Sequence, residues 1–296
     1  MDNKFRSGFI AVVGRANVGK STIINRLTGE KISIISNKPQ TTRNRILAIR
    51  TDETSQMIFV DTPGVHNARN KLGEFMNSEA RGAVGDADAA LLMVSALDQP
   101  GKFEESLIEQ FRGIPAVLGI NKIDLLKEKE KLLPLIGAYS ALYPFTAIIP
   151  ISALKKDGTQ AIFDELYKLL PEGPMFYPED QITDQPEKQI AAEIIREKVL
   201  HLFDKEVPHG TAVFIDVYKD EPKLLTIKAT IYCEKPSHKS MLIGAGGSAL
   251  KRVGTRARID IEKITGKKVY LELFVKPKSD WRNKKSILDE LGYKKV

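Results

Sequence analysis

Apolar and polar positions in the first half of the chain form short apolar runs separated by amphipathic stretches. The runs have strand length and lie at 9–13, 57–60, 116–120 and 147–151, each ending at a polar or glycine-containing turn. Helix-like stretches such as 21–27 lie between them. Strands that alternate with helices predict an α/β domain, a mainly parallel sheet with helices on both faces.

The second half has a different order of elements. Its periodicities predict helix, strand, strand, helix, helix and strand, over 190–203, 211–218, 224–232, 237–243, 248–264 and 269–275. This order predicts a small α+β domain. Between the halves, residues 170–186 are rich in proline, glycine and acids and show no period, which is typical of a linker.

These patterns divide the chain into four parts. We predict an α/β domain over 1–171, a linker over 172–190, an α+β domain over 191–280, and a tail over 281–296 that packs on or near the second domain. The length of 296 residues fits two domains that each bury a core.

A glycine-rich motif follows the first predicted strand and leads into a helix. It fits G-x-x-x-x-G-K-[ST], in which backbone N–H groups surround a polyphosphate and the helix N-terminus attracts negative charge. The lysine would reach the outer phosphates and the serine hydroxyl would bind Mg²⁺. A turn that merely requires glycine is the alternative, but the strand–loop–helix setting favours a phosphate loop. The residues are Gly14, Arg15, Ala16, Asn17, Val18, Gly19, Lys20 and Ser21.

Three further motifs, each directly after a strand, identify the nucleotide. A carboxylate at Asp61 can hold Mg²⁺ through water, and the N–H of Gly64 can sense a γ-phosphate. A carboxylate at Asp124 can accept hydrogen bonds from the guanine edge, which adenine lacks, so the site favours GTP. Each motif alone is more often a plain loop, but their order indicates a guanine-nucleotide site. Its members are Asp61, Thr62, Pro63, Gly64 and Val65, then Asn121, Lys122, Ile123 and Asp124, then Ser152 and Ala153.

Charge is distributed unevenly along the chain. Residues 1–180 carry 22 basic and 22 acidic side chains, whereas 235–285 carry 14 basic and 4 acidic ones. Such a local excess predicts a polyanion-binding surface, either for nucleic acid or for an anionic membrane. The single cysteine, Cys233, and four scattered histidines predict neither a disulfide nor a Cys/His metal site, which fits the cytoplasm. No run approaches the ~18 apolar residues of a membrane span.

A Gly-x-x-Gly turn joins the last two predicted helices. KH domains use this turn to clamp a single-stranded nucleic acid backbone. A glycine-rich helix–helix turn without ligand is the commoner explanation, but the element order and the local charge favour RNA. The predicted RNA-binding residues are Lys239, Ile243, Gly244, Ala245, Gly246, Gly247, Lys251, Arg252 and Arg256.

Together with these motifs, the sequences at 40–45, 193–198, 208–209, 280–282 and 291–293 resemble the Era family of bacterial GTPases over essentially the whole chain. The resemblance implies hydrolysis of GTP to GDP with Mg²⁺. It also implies a type II KH domain that binds small-subunit rRNA near its 3′ end, and a role in assembly and maturation of the small ribosomal subunit. The family is also described as associated peripherally with the inner face of the cell membrane. We expect a cytoplasmic monomer with no DNA partner.

Three departures from related GTPases bear on mechanism. Ras-like enzymes place a water-orienting glutamine just after Asp-x-x-Gly, where this chain has Val65, so slow turnover is expected. Related GTPases with this substitution use an asparagine at the position of Asn17 to hold K⁺. Thr42, with Thr41 as the alternative, would close over Mg²⁺ and sense the γ-phosphate. The family usually has proline at Ala16 and a lysine within the loop that here contains Ala245 and Gly246.

One alternative function uses the same basic surface on lipid. A membrane-surface signalling GTPase would bind anionic lipid through its basic domain. It should then carry an amphipathic basic helix with exposed phenylalanine, leucine or tryptophan, which the second half does not clearly offer.

Overall fold

A computed structural model describes residues 4–36, 38, 40–64, 68–111 and 113–294. These residues form two compact units. The first contains most of the chain up to Asp184, and the second runs from Gln185 and also includes Ser36–Thr41 and Ala68–Phe75. No helix within the described ranges is long and apolar enough to cross a membrane.

A six-stranded sheet forms the centre of the first unit. Its order is β2-β3-β1-β4-β5-β6, and β2 is antiparallel to β3 while the other neighbours are parallel. The strands are β1 (Arg6–Val13), β2 (Ile46–Thr51), β3 (Ser55–Asp61), β4 (Ala89–Ser95), β5 (Ala116–Asn121) and β6 (Ala147–Pro150). All residues of β3, β4 and β5 are buried, as expected for strands covered on both faces.

Five α-helices accompany these strands within the part of the chain that the structure describes. They are α1 (Lys20–Thr28), α2 (Lys71–Gly85), α3 (Lys102–Ile108), α4 (Leu132–Leu142) and α5 (Thr159–Leu169). Apolar residues of α1 and α5 pack on one face of the sheet, whereas those of α3 and α4 pack on the other. The parallel strands therefore end at one edge of a two-sided core, where ligands of such sheets bind.

Backbone and side-chain hydrogen bonds hold residues 171–184 against the first sheet. The Ser7 amide donates to the Pro171 carbonyl at 3.1 Å, and the Ile49 amide donates to the Ile182 carbonyl at 2.9 Å. The side-chain oxygen of Gln56 accepts from the Phe176 and Tyr177 amides at 2.8 and 3.0 Å. This part of the predicted linker thus has fixed partners, although its sequence has no period.

The second unit has a three-stranded sheet, β7-β8-β9, with helices on one face. Its elements are α6 (Glu187–Leu202), α7 (Glu206–His209), β7 (Thr211–Asp220), β8 (Leu224–Cys233), α8 (Pro236–Ile243), α9 (Ser248–Thr265), β9 (Lys268–Pro277) and α10 (Lys285–Glu290). Strand β8 is antiparallel to β7 and parallel to β9. The predicted fold class, an α/β sheet followed by a small α+β domain, is confirmed.

Within the second unit, two buried side chains contact residues near the C-terminus and one of the stretches from the first half, Ser36–Thr41. Trp281 is fully buried, donates its indole N–H to the Gly210 carbonyl at 2.9 Å and stacks on Tyr293. Arg196 is also fully buried and donates to the backbone carbonyls of Gln40 and Thr41.

Candidate nucleotide and nucleic-acid sites

The loop between β1 and α1 has two glycines that tolerate no side chain. Gly14 has φ +146°, and a Cβ there would lie 2.2 Å from the carbonyl oxygen of Met93. Gly19 has φ +103°, and a Cβ there would lie 2.2 Å from the side-chain nitrogen of Asn121. The loop therefore approaches its neighbours as closely as a backbone can, which fixes its path into the N-terminus of α1.

Lys20 lies inside this loop. Its ammonium donates to the carbonyl oxygens of Gly14 and Arg15, both at 3.0 Å, and the side chain is buried. Burial lowers the pKa of Lys20 to about 8, and the nearby carboxylate of Asp61 opposes that shift. A polyphosphate would add negative charge beside this ammonium and favour its protonated form.

Three oxygen-bearing side chains converge beyond the lysine. The Ser21 hydroxyl donates to the Asp61 carboxylate at 2.9 Å, and the hydroxyls of Ser21 and Thr42 lie 3.1 Å apart. Asp61 is fully buried, which raises the pKa of its carboxyl, and its Oδ1 has no hydrogen-bond partner among the described residues. Mg²⁺ prefers oxygen ligands, and a bound cation would satisfy the buried carboxylate oxygen that has no hydrogen-bond donor. The three side chains therefore fit a Mg²⁺ site.

Gly64 lies directly against the phosphate loop. A Cβ on Gly64 would lie 2.7 Å from the Cα of Ala16, and the Thr62 hydroxyl donates to the Val12 carbonyl at 2.9 Å. These contacts hold 62–64, including Pro63, beside the loop, so an N–H at Gly64 is close to where outer phosphates would lie. Asn17 has a left-handed φ of 65°, while Val65 lies outside the described residues.

The motifs after β5 and β6 meet at the other end of the loop. The Asn121 side chain donates to the Val18 carbonyl at 2.7 Å and accepts from the Ala153 amide at 2.9 Å. The Ser152 hydroxyl donates to the Asp124 carboxylate at 2.6 Å, and Asp124 remains exposed to solvent. Lys122 and Ile123, which is partly buried, form the turn between Asn121 and Asp124. An oriented, accessible carboxylate is the group that could read a guanine edge.

Sequence motifs did not reveal the partner of Arg15. Its guanidinium forms a two-pronged ion pair with Glu104 at the start of α3 and lies 5.0 Å from the centre of the Phe103 ring. Hydrogen bonding to Glu104 raises the pKa of Arg15. Glu104 also accepts from the Gly101 amide at 3.1 Å. The pair fastens the first turn of the phosphate loop to α3, and its residues are 89 positions apart.

A groove of about 370 Å³ lies between α9 and β9 in the second unit. The turn before α9 contains three glycines with positive φ, Gly244, Gly246 and Gly247. A Cβ on Gly246 or Gly247 would meet nothing within 4 Å, so this side of the turn is open. Gly247, Lys251 and Arg258 line the groove together with Leu271, Glu272 and Leu273 of β9.

The groove contains only part of the predicted RNA-binding set. Of that set, the lining includes Gly247 and Lys251. Among the described residues, it does not include Lys239, Ile243, Gly244, Ala245, Gly246, Arg252 or Arg256. Leu271, Glu272 and Leu273 of β9 were outside the predicted set, because a strand distant in sequence gives no local signal for a groove. A basic, open glycine turn at a helix N-terminus is suited to a nucleic acid backbone.

Comparison with known proteins identifies both domains. A family model described as 50S ribosome-binding GTPase matches residues 9–122, and a KH domain model matches 206–282. Proteins described as GTPase Era from Ruminiclostridium cellulolyticum and Alkaliphilus metalliredigens are 51% and 47% identical to the chain over 98% of its length, and the match covers 98% and 99% of those proteins.

Solved structures give the same result. A crystal structure of Era in complex with MgGDPNP and nucleotides 1506–1542 of 16S ribosomal RNA has a TM-score of 0.94 and 39% identity, covering 98% of this chain and 99% of that one. A single-residue variant of Aquifex aeolicus Era bound to GDP·AlF4⁻ matches with the same TM-score, identity and coverage.

Fold and site together define a GTPase with a phosphate loop and a C-terminal KH domain. Within that class, similarity over almost the entire length of its relatives places this chain in one family. It belongs to the Era family of GTPases.

Proposed function

We propose that this protein binds and hydrolyses GTP, binds small-subunit rRNA near its 3′ end, and acts as a nucleotide-switched assembly and maturation factor of the small ribosomal subunit. One observation carries the proposal: a relative whose crystal structure contains MgGDPNP and 16S rRNA matches the fold of 98% of this chain. The family model whose description names the 50S subunit matches only residues 9–122. We therefore base the choice of subunit on the 16S rRNA bound to the full-length relative.

The nucleotide site has a separate role for each group. Lys20 and the N–H groups of the loop bind the phosphates, and Gly64 contacts the γ-phosphate. Ser21 and Thr42 would hold Mg²⁺ and Asp61 would hold it through water, and the bound ion would neutralise phosphate charge. Asp124 reads guanine, while Asn121 and Ala153 position the loops around the base.

Hydrolysis in this chain proceeds without a glutamine after Asp-x-x-Gly and is therefore slow. We assign Asn17, whose left-handed backbone lies in the phosphate loop, as a ligand of K⁺ near the β- and γ-phosphates. Replacing K⁺ by Na⁺ should then slow GTP hydrolysis in the wild-type protein. Asn17→Ala should remove this ion dependence and largely preserve nucleotide affinity, measured with a fluorescent GDP. Equal rates in the two salts would contradict the K⁺ assignment.

RNA binds in the groove between α9 and β9. The open turn at Gly246 and Gly247 admits the sugar–phosphate backbone, the N-terminus of α9 offers N–H groups, and Lys251 and Arg258 supply the charge that the missing loop lysine would give. Gly247→Asp places a carboxylate in this position and should abolish RNA binding. Gly247→Asn is the matched control, because it has the same shape and backbone strain without the charge.

The cellular function is tested by the RNA that the protein contacts in cells. Crosslinking the GTP-bound protein and sequencing the attached RNA should recover the 3′ region of small-subunit rRNA. Recovery of other RNAs alone would contradict the proposed partner. We also propose a cytoplasmic monomer with domain boundaries at 1–171, 172–190, 191–280 and 281–296, which fractionation, sedimentation and limited proteolysis can test.

A further inference from the structure

Strand β9 presents two kinds of side chain on its two faces. Val269 and Val275 are buried in the core, while Tyr270 and Phe274 are 52% and 45% exposed. Successive side chains of a strand point to opposite faces, so Tyr270 and Phe274 share the outward face and lie roughly 13 Å apart along the strand.

Lysines flank these two aromatic side chains on the same face. Lys268 and Lys276 lie at the two ends of β9, both exposed and at even-numbered positions like Tyr270 and Phe274. Between the aromatics, Glu272 is paired with Lys228 of β8 at 2.9 Å, so that acid is neutralised. The outward side of β9 is therefore an aromatic pair between two positive charges.

Neighbouring strands continue this surface. Thr230 of β8 is in register with both Phe274 and Phe214, and Tyr232 is in register with Lys276. Lysine ammonium groups lie over the aromatic rings of β8 and β7. The Lys278 ammonium lies 4.5 Å from the centre of the Tyr232 ring, and the Lys188 ammonium lies 5.5 Å from that of the Phe214 ring. We call Phe214, Lys228, Tyr232, Lys268, Tyr270, Phe274 and Lys276 the outer sheet face.

The outer sheet face adjoins the groove. Leu271, Glu272 and Leu273, which line the groove, lie on β9 between Tyr270 and Phe274. Strand β9 is also the edge of its sheet. A strand of RNA that leaves the groove across β9 therefore reaches the aromatic pair without crossing another element.

We propose that the outer sheet face is a second RNA-binding surface, on which the single-stranded RNA that continues beyond the groove stacks its bases on Tyr270 and Phe274. Aromatic rings bind bases of any sequence by stacking, and lysines beside them bind the phosphates. The proposal rests on the proposed function, because it extends an RNA strand already held in the groove.

The test compares two RNAs by fluorescence anisotropy. One has about four nucleotides and fills only the groove, and the other extends it by several nucleotides on either side. Wild-type protein should bind the longer RNA more tightly. Tyr270→Ala and Phe274→Ala should each lower the affinity for the longer RNA about tenfold and leave the affinity for the short RNA unchanged.

Aromatic and apolar variants provide the controls. Tyr270→Phe and Phe274→Tyr keep a ring and should keep the gain. Ile259→Ala and Ile264→Ala remove similarly exposed side chains from α9 and should have no effect. Since the native Trp281 is buried, Phe274→Trp adds an exposed indole, whose emission the longer RNA should quench and the shorter one should not.

The outcomes separate this inference from the proposed function. If Gly247→Asp binds the short RNA like Gly247→Asn, the groove assignment fails. If the groove is confirmed but the alanine variants keep the full gain, only the outer sheet face is refuted. The alanine variants could also bind the longer RNA as tightly as the wild-type protein does but change their oligomeric state. That result would identify the face as a contact between copies of this chain.

Discussion

At the scale of single residues, the motif that contains Asn121 predicts a ligand but does not predict the contacts of this side chain. The sequence placed it in a base-recognition motif. In the structure its amide group joins the phosphate loop at Val18 to the Ala153 loop, so one side chain holds both ends of the nucleotide site together. Residue types and their spacing predicted the ligand, but the partners of each side chain depend on loops that lie far apart in sequence.

The first prediction concerns the choice of base. Asp124 is exposed and oriented by Ser152 at 2.6 Å, so its carboxylate can accept from the guanine N1–H and N2–H₂ groups. Asp124→Asn replaces an acceptor by a donor and should weaken GTP binding while favouring xanthosine triphosphate, which has an oxygen at position 2. Calorimetric titration measures both. Equal affinity of the wild-type protein for ATP and GTP would contradict the assignment.

The second prediction concerns the protonation of Lys20. Its pKa of about 8 in the free protein means that the ammonium is charged below pH 8 and loses its proton above it. Phosphates favour the charged form, so nucleotide binding above pH 8 must take up a proton, and GDP affinity should fall as the pH rises further.

Titration calorimetry in two buffers with different ionisation enthalpies counts the protons taken up. Lys20→Arg is the control, because a guanidinium does not deprotonate in this range. The variant should show less uptake than the wild-type protein at the same pH slightly above 8. Identical uptake in both proteins would exclude Lys20 as the titrating group.

At the scale of elements, periodicity identified some strands and missed others. The four predicted strands correspond to β1, β3, β5 and β6, whereas β2 and β4 were not predicted. All seven residues of β4 are buried, and a continuous apolar run does not distinguish a strand from a buried helix. The short α7 was also missed, since four residues are too few to show a helical period.

The third prediction concerns the attachment of the phosphate loop to α3. Glu104 is almost fully buried, so Arg15→Met would leave a carboxylate without its charged partner. We expect a loss of about 1 kcal/mol of unfolding free energy, at the low end for a buried charged hydrogen bond because Arg15 itself is half exposed. Chemical denaturation measures this loss.

Glu104→Gln and the double variant complete the cycle. Because the ion pair can be lost only once, the double variant should be less destabilised than the sum of the single ones. Additivity within about 0.5 kcal/mol would show that the pair contributes nothing beyond its separate residues.

At the scale of the whole molecule, the fourth prediction concerns coupling between nucleotide and RNA. Ser36–Thr41 and Ala68–Phe75 belong to the second unit. In sequence, however, the first of them directly precedes Thr42 of the nucleotide site, and the second comes shortly after Asp61–Gly64 of that site. The γ-phosphate can order such segments, and hydrolysis can release them. We therefore expect single-stranded rRNA to bind more tightly with a GTP analogue than with GDP, by roughly 5- to 150-fold.

Linkage requires the reverse effect to have the same size. RNA should increase the affinity for the GTP analogue relative to GDP by the factor by which nucleotide changes RNA affinity. Anisotropy titrations in both directions measure the two factors. Equal RNA affinity in both nucleotide states would exclude the coupling.

The buried position of Trp281 gives this protein an internal probe of folding. The only indole in the sequence lies in the C-terminal unit, with its N–H bonded to the Gly210 carbonyl, so its emission will shift when that unit unfolds. Release of a fluorescent GDP reports loss of the first unit independently. Denaturant curves followed by the two signals will show whether the chain melts as one cooperative body or as two, and thus whether each half has a stability of its own.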